Sequence, residues 1–77
     1  RILGVQVGEK FKAYHFAVLK KKALPIKDTF NGKTLLIHFD KKNNSARIES
    51  ADGGEVTYFS LFWFAWYGFH PDTEVFE

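Results

Sequence analysis

The sequence predicts a mainly β fold: small antiparallel hairpins curled into a half-open barrel or sandwich, with one short aromatic helix near the C-terminus. Three observations point there. Turn-forming clusters recur at short spacing, at Gly8-Glu9-Lys10, Asn31-Gly32, Lys41 to Asn44, Asp52-Gly53-Gly54 and Pro71-Asp72. The stretches between them are rich in Val, Ile, Phe, Tyr and Thr, the residues that suit a pleated, half-buried surface. Aromatic residues make up 18% of the 77 positions, nine of them Phe, and they crowd into Leu61 to Phe69.

The expected strands are Ile2 to Val7, Phe11 to His15, Ala23 to Phe30, Lys33 to Phe39, Ser45 to Ser50 and Glu55 to Phe59. The hairpin around Gly8 is compatible with several registers. Ala17 to Lys22 suits a single helical turn that keeps its lysines wet. Asn31-Gly32 is the strongest turn signal, since a type I′ turn needs φ > 0 at both central residues. A loop of two residues then sets Phe30 opposite Lys33, Asp28 opposite Leu35, Ile26 opposite Ile37 and Leu24 opposite Phe39. One face of that hairpin is apolar and the other carries Lys27, Thr29, Thr34 and His38. Asp28 is the single acid on the apolar face, where a bare carboxylate costs several kcal/mol or is driven neutral, so it requires hydrogen-bond partners.

A second hairpin is expected between Ala46–Glu49 and Val56–Tyr58, with Ala46, Ile48, Val56 and Tyr58 inward and Gly53 left-handed in a three-residue loop. Leu61 to Phe69 is read as a helix, with Ser60 as N-cap and Gly68 with Pro71 as the stop. A seventh strand is the competing reading, because periodicity does not discriminate where nearly every position is apolar. In a helix, Phe62, Trp66 and Phe69 form a ridge beside Trp63, with Trp66 facing the sheet. A helix without a polar face must be covered nearly all round or meet a partner.

Composition limits the function. Eleven Lys and Arg against nine Asp and Glu give +2, which does not favour nucleic acid, and no apolar run is long enough for a transmembrane segment. Without Cys there is no disulfide framework, thiol nucleophile or thiolate metal site. The chain has no Met and starts inside an expected strand, which suggests one small domain, residues 1–77, from a longer protein. No Gly-x-Ser-x-Gly elbow, phosphate loop, His-Glu-x-x-His or dinucleotide fingerprint occurs, so an enzyme is not expected from these residues and no cofactor is assigned.

Ile2-Leu3-Gly4-Val5, Lys12-Ala13-Tyr14, Ile26-Lys27-Asp28-Thr29 before Asn-Gly, and Phe62-Trp63-Phe64-Ala65-Trp66 leading to His70-Pro71-Asp72-Thr73 together resemble the uncharacterised prokaryotic family of domain of unknown function 3179. The resemblance covers most of the chain in order, and its Trp-x-x-Trp run into His-Pro-Asp-Thr is the most specific part. It implies a longer, extracytoplasmic protein. It singles out Tyr14, Asp28, Trp63, Trp66, His70, Pro71, Asp72 and Thr73 without giving any of them a chemical role. His15 stands where the family usually has Pro, and the Cys-x-x-Cys segment that many members carry is missing, so no metal or redox role transfers.

A metal site would draw on His15, His38 and His70 with Asp28, Asp40 or Asp72. Strand-end chemistry accounts for Asp40 and an outward face for His38, and the bland reading outweighs the metal. Asp28 is the one acid–base candidate, and a carboxylate holding neighbouring backbone or side-chain donors explains it better. The aromatics serve core filling first. The expected function is a non-catalytic structural or interaction module, meeting a protein partner or a second copy through the aromatic segment. The rival is a small-ligand or metal-binding domain using Asp28, His38 and the Trp63/Trp66 pair.

Overall fold

The computed structural model describes residues 1–23, 25–54 and 56–77. The elements run β1 (Ile2–Val7), β2 (Lys10–His15), α1 (Phe16–Leu19), β3 (Ile26–Phe30), β4 (Lys33–Asp40), β5 (Ser45–Ser50), β6 (Thr57–Leu61), α2 (Trp63–Phe69) and β7 (Glu74–Val75). They form a four-stranded sheet in the order β6-β1-β2-β7 and a three-stranded sheet in the order β3-β4-β5. The two sheets do not close into a barrel. No helix among the described residues is long and apolar enough to cross a membrane.

Asn31 and Gly32 have φ of 50° and 80°, as a type I′ turn demands, and Phe30 faces Lys33, Asp28 faces Leu35 and Ile26 faces Ile37. The expected pairing of Leu24 with Phe39 falls outside the described residues, and β3 begins only after Pro25, which has no N–H to give a ladder. The turn at Gly8 resolves to two residues, since Val7 pairs with Lys10. Gly8 is at φ 62° and Glu9 is not positive, which is the type II′ pattern. Asn31 donates from Nδ2 to the Val7 carbonyl at 2.9 Å, tying the two hairpin tips together.

Alternation sorts the core into two compartments. Leu3, Val5 and Tyr14 on one face of the four-stranded sheet meet Ile26, Phe30, Leu35, Ile37, Phe39 and Ile48 of the other sheet, with Phe16 and Leu19 of α1 closing the end. Ile2 and Ala13, one residue out of phase, face the opposite way and pack against Trp66 of α2. The four-stranded sheet is therefore the middle layer, between the second sheet and the helix.

Three expectations are corrected. β5 and β6 are not a hairpin: β5 pairs with β4, and β6 pairs antiparallel with β1 in the other sheet, Gly4 facing Phe59 and Ile2 facing Leu61. Gly53 does adopt φ 84°, but the turn it serves carries the chain from one sheet to the other. Val56 still packs on the core, whereas Tyr58 is 39% exposed because it lies on an edge strand. Glu55, the expected start of that strand, falls outside the described residues.

Second, Ser60 is no helix cap. It sits in β6 opposite Leu3, and Phe62, without a side-chain cap, precedes α2. Pairing that continues to Leu61 holds the backbone extended, so the helix starts two residues later than the cap signal suggests. Gly68 lies inside α2, and His70 ends it at φ −134°. The strand alternative for this segment does not occur, although a short β7, absent from the sequence reading, pairs parallel with β2. Third, the Phe62–Trp66–Phe69 ridge does not cover the sheet. Trp66 is 2% exposed, while Phe62 is 56% and Phe69 78% exposed.

Candidate functional site

Two groups of side chains gather the residues singled out by sequence, one in each compartment. The first is centred on Asp28. β3 places it between Ile26 and Phe30 on the inward face, and β2 brings Lys12 and Tyr14, two residues apart and so on one face, directly against it. Asp28 Oδ2 accepts from Lys12 Nζ and from the Tyr14 hydroxyl, each at 2.7 Å. Lys12 and Asp28 keep only 11% and 18% of their side-chain surface exposed. The Lys12 ammonium also lies 5.5 Å from the Tyr14 ring, 5.6 Å from Phe30 and 5.5 Å from Phe76. Such cation–π contacts gain strength as water is removed.

Burial, then the hydrogen bond to Asp28, pushes the Tyr14 hydroxyl far above the usual tyrosine range. Tyr14 is held neutral as a donor, Lys12 supplies the opposite charge, and a single carboxylate oxygen takes both bonds. This is a polar clamp that ties β2 of one sheet to β3 of the other.

The second group surrounds Trp66. A Cβ on Gly4 would lie 2.5 Å from the Trp66 ring, so this glycine exists for the close approach of the indole to the β1 backbone. Phe11 meets Trp66 edge-on, with centroids 6.0 Å apart, and stacks on His70 at 3.8 Å. Trp66 Nε1 donates to Thr73 Oγ1 at 2.9 Å, and that hydroxyl donates to the Glu74 carbonyl at 3.1 Å. The His70–Thr73 segment thus works as a turn, closed by Thr73 N–H on the His70 carbonyl, that fastens α2 and delivers β7 to β2. Pro71 and Asp72 are exposed in that turn, and Trp63 is half-buried against His15 and Tyr67.

Tyr14 and Asp28 are therefore brought together, as are Trp66, His70 and Thr73, but the two groups lie on opposite faces of the middle sheet. His38 is remote from both in chemistry. It is on the outer face of β4, bonded to Glu49 at 3.3 Å beside Arg47. Asp40 caps its own turn, accepting from Lys42 and Asn43 N–H and from Asn43 Nδ2, bonds that hold its carboxyl below the usual range. His15 is lowered by burial and then by the charged N-terminal amine. Among the described residues no three His, Asp or Glu side chains converge.

Sequence reasoning missed Lys12, Phe11 and Gly4. The alternation of β2 did hold a signal for Lys12, which shares a face with Tyr14. Nothing local marks Gly4 as the seat of an indole more than sixty positions away. Beside this second group a shallow cleft of ≈ 360 Å³ runs between β6 and α2, lined by Phe59, Ser60, Leu61, Trp66, Phe69 and His70. No family model, curated protein or solved structure matches the chain.

Proposed function

We propose that this domain is a non-catalytic interaction module of a longer protein, which meets its partner through the aromatic surface of α2 and β6. The observation that carries this reading is the exposure there: Phe59 52%, Phe62 56% and Phe69 78%. Exposed large apolar side chains that adjoin one another mark interaction surfaces more often than scattered ones do, and Phe59 and Phe69 line one cleft. The Asp28 clamp supports the same reading from the other side, because Lys12 and Tyr14 both spend a hydrogen bond on holding the two sheets together. The resemblance to the family of domain of unknown function 3179 belongs to this proposal and carries an extracytoplasmic setting with it.

A nitrogen-15 HSQC series tests it. Raising the protein concentration, or adding a candidate partner, is expected to shift resonances from Thr57 to Phe69 while those of β3 and β4 stay in place. Specific shifts around Asp28, His38 or Trp66 on addition of zinc, copper or a panel of sugars would instead establish the small-ligand or metal-binding reading.

A further inference from the structure

From the open edge of β6 we infer that the partner is a second copy of this chain, added as an antiparallel strand across a two-fold axis at Phe59. This rests on the interaction reading above and names its occupant.

The ladder shows which backbone groups are free to pair. In the two-residue hairpin, Val7 and Lys10 exchange hydrogen bonds, so Val7, Val5 and Leu3 direct their N–H and C=O groups toward β2. The same parity continues at Arg1, whose carbonyl accepts from Phe16 N–H at 3.1 Å. Ile2, Gly4 and Gln6 must then face β6, where they meet Leu61, Phe59 and Thr57. The residues between, Tyr58 and Ser60, aim their N–H and C=O groups away from the sheet.

The sheet edges differ in protection. β3 carries Lys27 behind Pro25, β5 carries Arg47 and Glu49, and β7 has two residues, one of them Glu74. Charges, prolines and shortness are the usual devices against unwanted pairing. β6, Thr-Tyr-Phe-Ser-Leu, has none of them within its span.

An identical strand satisfies this edge symmetrically. With Phe59 opposite its own copy, Tyr58 of each chain pairs with Ser60 of the other and all the outward groups of both residues are used. Phe59 then occupies a non-hydrogen-bonded pair, the type that brings side chains closest. Isologous pairing of one patch with itself is the commonest route to a dimer. At about 200 Å² per aromatic side chain, the exposed parts of Tyr58, Phe59, Phe62 and Phe69 offer roughly 450 Å² per copy. Wholly covered in both copies, and with the paired backbone added, these side chains come to the ~1,000 Å² that a specific interface needs.

Sedimentation equilibrium on the 77-residue chain tests the inference, with circular dichroism to confirm that each variant is folded. The wild type is expected to double its mass at micromolar concentration. Phe59→Lys should weaken the dimer by at least about 30-fold, as loss of a central anchor does, and Phe64→Asp should leave it intact. Because the chain has no Cys, Phe59→Cys should oxidise to a covalent dimer while Tyr58→Cys, facing Ser60 instead of itself, should not. A wild type monomeric to the order of 1 mM, or a dimer indifferent to Phe59→Lys, would overturn the pairing. A dimer lost in Phe64→Asp but kept in Phe59→Lys would sink the strand pairing and leave the interaction reading standing. A persistent monomer whose HSQC responds to metal or sugar would sink both.

Discussion

The two sides of the middle sheet solve opposite problems. Between the sheets, a mostly buried charged pair meets a buried phenol, and three aromatic rings close around the ammonium, so polar groups are paired inside. On the outer side a nearly all-apolar helix buries one indole over a glycine and leaves most of its other aromatics in water. The inner compartment is complete in itself. The outer one is half-covered, and the difference teaches that the aromatic residues of this sequence divide between a filled core and an exposed outer face.

The comparison breaks most readily at its one buried anchor. Trp66→Ala should cost about 3–5 kcal/mol, a large share of the stability of so small a domain, and leave it largely unfolded in a urea titration. A near-native midpoint would mean that α2 adds little to the fold and that both its faces are surface.

Next in size is the clamp. Asp28→Asn leaves the Lys12 ammonium without its counter-charge at a mostly buried position and should cost roughly 2–4 kcal/mol. The double variant Asp28→Asn with Lys12→Met should recover part of that loss, because the unpaired charge is gone. An additive double variant would show that the pair does not act as a unit.

Tyr14 gives the same compartment a pH signature. Its folded pKa is raised, so the unfolded chain gives up this proton near the ordinary tyrosine value of 10.0 while the folded chain still holds it. Above about pH 10 the unfolded state binds fewer protons, and stability must fall with pH by up to ~1.4 kcal/mol per unit from this group. Tyr14→Phe should lower stability by about 1 kcal/mol at neutral pH but remove that component of the alkaline slope. Urea midpoints at pH 9 and pH 11 for both proteins check it, and equal slopes would deny the burial of the hydroxyl.

The smallest effect belongs to the outer face. Phe64→Asp, at a position 76% exposed, should change unfolding free energy by no more than about 0.5 kcal/mol. A loss of 2 kcal/mol would place Phe64 in a folded contact and erase the contrast between the two sides of the sheet.

The inner compartment was the more legible. Alternation around Asn31-Gly32 placed Asp28 among apolar neighbours, and the cost of a lone carboxylate required partners before any were known. Tyr14 and Lys12 were not identifiable as those partners, since they arrive from another sheet. At the outer compartment Trp66 was rightly placed against the sheet. Phe62 and Phe69 were placed with it in error, because one helical ridge on a uniformly apolar helix looks as buriable as any other.

What the sequence by itself determined was local: where six of the seven strands begin and end to within a few residues, the Asn31-Gly32 register, left-handed Gly53, and a helix close to Trp63–Phe69. These follow from dihedral preferences and side-chain alternation, which act over a handful of neighbouring residues. Tertiary structure alone decided that β6 leaves β5 for β1. A backbone ladder accepts any strand of suitable length, and Asp52-Gly53-Gly54 can turn the chain back or carry it across. The choice falls to the partner whose side chains leave room, and β1 offers Gly4 opposite Phe59, a gap the Trp66 indole fills only once the helix has folded over it. That fit involves three segments distant along the chain, and no window of neighbouring residues contains it.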